Sequence, residues 1–114
     1  METLLAVFPD LATEITQELS RMGKGDLAAQ LSQAVITDVT FDNSADAGYI
    51  YVKAGRQLNI VEEQTIGVRH GETVCLETKN WINLDTDNFG RLTGIELLSP
   101  PAAWKAELRK RRAV

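Results

Sequence analysis

Three carboxylates, a glycine and an aliphatic residue fall at the spacing of a cation-binding loop. In Asp85-Thr86-Asp87-Asn88-Phe89-Gly90-Arg91-Leu92-Thr93-Gly94-Ile95-Glu96, Asp stands first and third, Gly sixth, Leu eighth and Glu twelfth. A twelve-residue calcium loop supplies its oxygens and its sharp turn in that order. The fifth position breaks the pattern, because Phe89 has no side-chain oxygen. The flanks break it as well: Trp81-Ile82-Asn83-Leu84 alternates as a strand does, and Pro100-Pro101 stands soon after, where a second helix would be needed. The segment therefore reads as an acidic hairpin turn, with Asn88 and Gly90 supplying the tight geometry.

Asp42, Asp46, Asp85, Asp87 and Glu96, with Arg91, form a wider acidic set. Carboxylates close in space share a proton or a divalent cation. A small enzyme, or a small-molecule or metal-binding protein, built on Asp42, Asp46, Asp85, Asp87 and Arg91 is thus one alternative, and it requires these side chains to converge on one concave pocket. Beside turns, however, aspartates mostly accept local backbone N–H groups, and Arg91 suits a structural ion pair. His70 is the only histidine and sits in a turn-like stretch, which predicts exposure. Cys75 is the only cysteine, so no internal disulfide forms, and its place between Val74 and Leu76 predicts a buried, inert thiol. One histidine, one cysteine and no patterned serine leave no hydrolytic triad to assign. Gly23-Lys24-Gly25 lacks the spacing of a phosphate loop. No catalytic residue, metal ligand or cofactor is assigned.

The tail Arg109-Lys110-Arg111-Arg112 is the strongest local charge feature. Residues 1–99 carry 7 Lys/Arg against 15 Asp/Glu and residues 100–114 carry 5 against one, within a net charge of −4. Nucleic-acid contact through the tail is an alternative that predicts strong salt dependence. The acidic body opposes it, and no basic ladder accompanies Tyr49, Tyr51 and Trp81, so nucleic acid is not the expected partner.

The elements that must position these residues follow from periodicity. After Pro9, Leu11, Ile15, Leu19 and Met22 trace one helix face that Gly23 ends. Asp26 is placed to cap a second helix carrying Leu27 and Leu31. From about residue 35 the period falls to two: Val39/Phe41, the two-sided run Tyr49-Ile50-Tyr51-Val52, then Leu58/Ile60, Ile66/Val68, Val74/Leu76 and Ile82/Leu84. A last strand, Arg91 to Leu98, changes phase near Gly94, which predicts a bulge there. Ser99-Pro100-Pro101 ends the sheet and opens a helix carrying Trp104 and Leu108.

Two segments together resemble a known pattern. Val39-Thr40-Phe41-Asp42, then Ala45-Asp46 and the aromatic strand from Tyr49, make the first half. Asp85-Thr86-Asp87, Gly90-Arg91 and Gly94-Ile95-Glu96 make the second. Over about residues 36–99 the chain resembles the small prokaryotic family of domain of unknown function 2283. Gly48 stands where a larger aliphatic is usual in that pattern. The resemblance implies a compact antiparallel sheet, assigns no activity, and admits an antitoxin-like or other regulatory role.

With 44% hydrophobic and 25% charged residues in 114, the composition is that of an ordinary globular domain that needs no staple. The expected class is α+β in one domain: a helical hairpin over 1–35, an antiparallel sheet of about five to six strands built from hairpins over 36–99, and a short C-terminal helix with a basic tail over 100–114. Glu2 precedes the short apolar run Leu4–Phe8 and no stretch approaches ~20 apolar residues, so no membrane span is expected and the cytoplasm is the expected compartment. The expected function is a non-enzymatic protein-interaction module that self-associates or holds a small protein partner.

Overall fold

The computed structural model describes residues 2–112, the last of these by its backbone alone. Helix α1 (Leu4–Val7) is a single turn whose cap, Thr3, accepts a hydrogen bond from the Ala6 N–H at 3.1 Å. Helices α2 (Pro9–Arg21) and α3 (Gly25–Gln33) form the expected pair. Leu11, Ala12, Ile15 and Leu19 of α2, with Leu27 and Leu31 of α3, are buried on the inner stripe. Two details differ from expectation. Met22 follows the last helical residue and is partly exposed, and Asp26 lies inside the first turn of α3 rather than at its cap.

Strands β1 (Val35–Asp42), β2 (Ala47–Lys53), β3 (His70–Glu77), β4 (Trp81–Asp87) and β5 (Leu92–Leu98) make an antiparallel sheet in the order β1-β2-β5-β4-β3. Two local units, the β1–β2 hairpin and the β3–β4–β5 meander, are joined along the central β2–β5 pairing. The phase change near Gly94 is a bulge in which Thr93 is the extra residue, because Asp85 faces Gly94 while Thr86 faces Leu92. One sheet face is packed: Val39, Phe41, Ile50, Val52, Val74, Leu76, Ile82, Leu84, Ile95 and Leu97 join the helices in one apolar cluster. Helix α5 (Ala102–Arg112) closes it over β1 with Trp104 and Leu108. Leu108 fills the space that a larger residue would take at Gly48, where an added Cβ would meet Leu108 Cδ1 at 2.6 Å. The smallest side chain in β2 is thus the seat of α5.

The strands expected at Leu58/Ile60 and Ile66/Val68 are absent. Residues 60–66 instead form helix α4 (Ile60–Ile66), inside the crossover from β2 to β3. Asn59 accepts from the Glu62 N–H at 2.8 Å and donates its own N–H to Glu62 Oε2 at 3.2 Å. This reciprocal cap overrides the β-branched propensity of the segment. Cys75 is exposed, contrary to expectation. Val74 and Leu76 take the inward phase of β3, so the residue between them must point to the opposite face. Among the described residues no helix is long and apolar enough to cross a membrane.

Truncating Leu108 removes the side chain that holds α5 on the sheet. Leu108→Ala should cost about 2–4 kcal/mol, seen as a lower urea midpoint at unchanged slope.

Candidate functional site

The acidic residues divide among three places. Asp87 is 4% exposed, on the packed side of the β4–β5 turn. Its Oδ1 accepts the N–H groups of Phe89 and Arg91 at 2.9 and 3.0 Å, and its Oδ2 accepts Nε of Arg91 at 2.7 Å. Burial opposes ionisation of this carboxyl, but the Arg91 and Phe89 donors outweigh it and hold its pKa below the ordinary value. The turn is tied outward as well. Gln30 of α3 donates to the Gly90 carbonyl at 2.9 Å and accepts from the Leu92 N–H at 2.7 Å. Asn88 accepts from the Arg69 N–H at 2.8 Å and donates to the Gly67 carbonyl at 2.9 Å, pinning the end of the crossover.

Asp42 and Asp46 lie at the other end of the sheet. Asp42 Oδ1 accepts the Ser44 N–H at 2.9 Å, and Asp46, with φ of 50°, bridges to Lys105 of α5 at 2.8 Å. Ala47 and Tyr51 mark the two ends through their β5 partners, Leu98 and Gly94. Four residues of strand therefore separate the pairs, about 13 Å. Asp85 and Asp87, two apart on β4, share a strand phase, but Asp85 is held by Tyr49 and Thr73 on the open face while Asp87 is buried in the β4–β5 turn against Phe89 and Arg91. The Asp42, Asp46, Asp85, Asp87 and Arg91 side chains are not gathered in one pocket, and the calcium-loop positions do not converge. Among the described residues no group of three or more His, Cys, Asp or Glu is placed to hold a metal ion.

The basic tail folds onto its own chain. Arg109 packs 5.0 Å over the Phe41 ring and donates to Asn43 Oδ1 at 3.0 Å. Arg111 holds Glu2 at 2.6 Å and Glu107 at 3.0 Å. Lys110 is exposed, and the Arg112 side chain lies outside the described part.

Asp85 and Glu96 belong to the outer face of the sheet, which no helix covers. The register lays its residues in three cross-strand rows: Asp38, Tyr51, Gly94, Asp85 and Thr73; Thr40, Tyr49, Glu96, Asn83 and Cys75; Asp42, Ala47, Leu98, Trp81 and Glu77. Tyr49 leans over Gly94, where any Cβ would strike its ring, and donates to Asp85 Oδ2 at 2.5 Å. Thr73 donates to Asp85 Oδ1 at 2.6 Å, and exposed His70 lies 3.3 Å from the Thr73 hydroxyl. Burial and the Asp85 carboxylate push the Tyr49 pKa up strongly. Tyr51 packs against Tyr49 with ring centroids 4.6 Å apart and the ring planes tilted by 50°. Asn83 donates to Glu96 at 2.9 Å.

Five carboxylates, those of Asp38, Asp42, Glu77, Asp85 and Glu96, therefore share one face. None of them is in a salt bridge among the described residues. A longer-range attraction links Glu77 to Arg21. Sequence reasoning did not single out Asp38 or Glu77, although strand phase marks both as neighbours of the exposed aromatics.

The family described as "Protein of unknown function (DUF2283)" matches residues 38–99. The chain belongs to this family. The match spans the sheet from β1 to the end of β5. The DUF2283 pattern residues quoted above have structural tasks here: Asp42, Asp46 and Asp87 shape turns, Arg91 neutralises Asp87, and Gly94 admits Tyr49 to Asp85. Comparison with curated proteins and with solved structures gives no significant match.

Asp87→Ala leaves the Arg91 guanidinium and two turn N–H groups without their acceptor and should cost about 2–4 kcal/mol. Because the folded pKa is depressed, this contribution is complete above the ordinary value of 3.8 and is lost as pH falls below it through the folded pKa. Acid unfolding followed by circular dichroism should show the wild type losing its advantage over Asp87→Ala in that window.

Proposed function

We propose that this chain is a non-enzymatic interaction module that receives a Lys/Arg-rich segment of a partner protein on the open face of its sheet. One observation carries the reading: five carboxylates without a salt bridge surround Tyr51 and Trp81, which are 44% and 69% exposed. On this outward phase Lys53, at the end of β2, is the only lysine or arginine among the described strand residues. A basic segment supplies the missing counter-charge, and Arg in particular stacks on aromatic faces while binding carboxylates. Five strands span about 20 Å, so the face offers roughly half of the ~800 Å² per partner of a standard protein interface. That size suits an extended segment or one helix face. Shielding a basic partner surface is also compatible with a regulatory, antitoxin-like role.

The test is retention of protein partners by immobilised wild type, by Tyr51→Ala/Trp81→Ala and by Asp38→Asn/Glu96→Gln. A single basic partner that binds at low salt and loses about tenfold or more in affinity to each double variant is the expected result. Equal retention by the variants would sink the reading.

Self-association is a second reading, favoured by a different surface. Ile60, Val61 and Ile66 of α4, with Val68 after it, are each more than half exposed, and α4 has no buried residue. Like charges keep two outer faces apart, so copies would meet through this aliphatic patch. Sedimentation at rising concentration should then show a dimer that Val61→Glu/Ile66→Glu abolishes. A monomer at all concentrations contradicts this second reading and leaves the first untouched.

A further inference from the structure

We propose that the cleft beneath the β2–β3 crossover is a binding site for a small organic anion with one carboxylate or phosphate head on an apolar body. The cleft holds about 570 Å³, within the range of small-molecule sites. It lies at the end of the sheet away from Asp42 and Asp46, bounded by the end of β2, the crossover and the start of β5. Apolar surface comes from Val52 and Leu92, both buried in the strand ends, and from Val68, which stands half-exposed across the opening. Three cations, Lys53, Arg56 and Arg91, line the same space. In a chain of net charge −4, this is a local reversal of sign.

The state of each cation supports an anionic guest. Nε of Arg91 is committed to Asp87 at 2.7 Å, which fixes the plane of the guanidinium, yet its side chain remains 18% exposed. Its Nη1 reaches Glu63 only at 3.5 Å, its face lies 5.6 Å from the Phe89 ring, and its Nη2 makes no hydrogen bond among the described residues. A fixed, partly desolvated guanidinium with open donors suits a two-oxygen head group, because little ordering remains to be done on binding. Lys53 makes no salt bridge or side-chain hydrogen bond among the described residues. Arg56 meets Glu62 only at 3.5 Å, with its side chain 59% exposed. Asp87 also lines the cleft, but three donors already hold its carboxylate, so its charge is compensated before a ligand arrives. Glu63 is the remaining carboxylate. It is 44% exposed and can yield its long contact to an incoming head group.

The apolar lining argues against a bare inorganic ion. A free phosphate would leave Val68, which is half-exposed, in water, whereas a hydrocarbon or aromatic body covers it and packs against the floor that Val52 and Leu92 already form. Apart from Lys53, at the end of β2, the cleft shares no residue with the outer face, and the proposal does not rest on the interaction-module reading.

Naphthoate, naphthyl phosphate and the cationic isostere naphthylmethylamine, titrated into isotope-labelled protein and followed by amide and methyl NMR, test the proposal. At least one of the two anions should give saturable shifts centred on Val52, Val68 and Leu92, and the tighter of the two identifies the preferred head group. The amine should bind at least tenfold more weakly. Lys53→Gln and Arg56→Gln, both at exposed positions, should each weaken the anion by about three- to tenfold while leaving the spectrum elsewhere unchanged. Equal binding of anion and amine, no saturable shift with either anion, or full affinity in the Lys53→Gln/Arg56→Gln protein would each overturn it.

Discussion

Asp87 keeps a negative charge where packing leaves it almost no water, and the chain around it is arranged to compensate that charge. Two backbone N–H groups and the Arg91 guanidinium converge on one carboxylate, which fixes the β4–β5 turn in a single conformation. Everything at that end of the sheet is then hung from the turn. Gln30 attaches α3 to it, Asn88 attaches the end of the crossover, and Arg91 is held still enough to present its other nitrogens to the cleft. A buried charge is weak evidence for net stability, but removing its partners is costly. Its role here is to specify one geometry for the turn, α3 and the end of the crossover.

The other constraint is that the helices cover only one side of the sheet. The packed side spends its apolar residues on α2, α3 and α5, and the outer side must stand in water with what remains. A two-sided aromatic strand, β2, leaves Tyr49 and Tyr51 there. Tyr49 is made tolerable by leaning across Gly94 onto Asp85, while Tyr51 and Trp81 stay open. Carboxylates held by neutral donors keep this face charged and soluble without neutralising it. The same arrangement leaves it receptive to cations.

Much of the fold was legible because periodicity and turn chemistry agreed. The Leu11–Ile15–Leu19 stripe, the alternation of β1 and β4, and the Asp87-Asn88-Phe89-Gly90 turn each follow from local residues. The errors share a cause, which is that a short pattern was read without its surroundings. Ile60 and Ile66 suited strands, yet Asn59 and Glu62, three residues apart, carried the stronger instruction for a helix. Cys75 lay in an apolar run, but alternation between Val74 and Leu76 had already assigned it outward. The candidate residues were found by type, while their grouping depended on strand order. Asp85 and Asp87 are near neighbours in sequence, yet one is held by side chains of β2 and β3 on the open face and the other is buried in a turn. Asp38 joins Asp85 only through the non-local β2–β5 pairing, whereas Glu77 lies across the local β3–β4 hairpin. The cleft was invisible for the same reason, since Lys53, Arg56 and Arg91 come from segments that meet only once the crossover is laid down.

That central pairing has a kinetic consequence. Each of the two units it joins closes through short loops and needs few distant contacts, so both can form early. The seam between them brings Ala47 against Leu98 and Tyr51 against Gly94, and it must close a long loop before it gains its contacts. The folding barrier therefore sits at the β2–β5 seam, where Ile50 meets Ile95 and the Tyr49 hydroxyl meets Asp85. Until that seam closes, two incomplete sheets each expose an unpaired strand, and the chain is then most open to pairing with its neighbours.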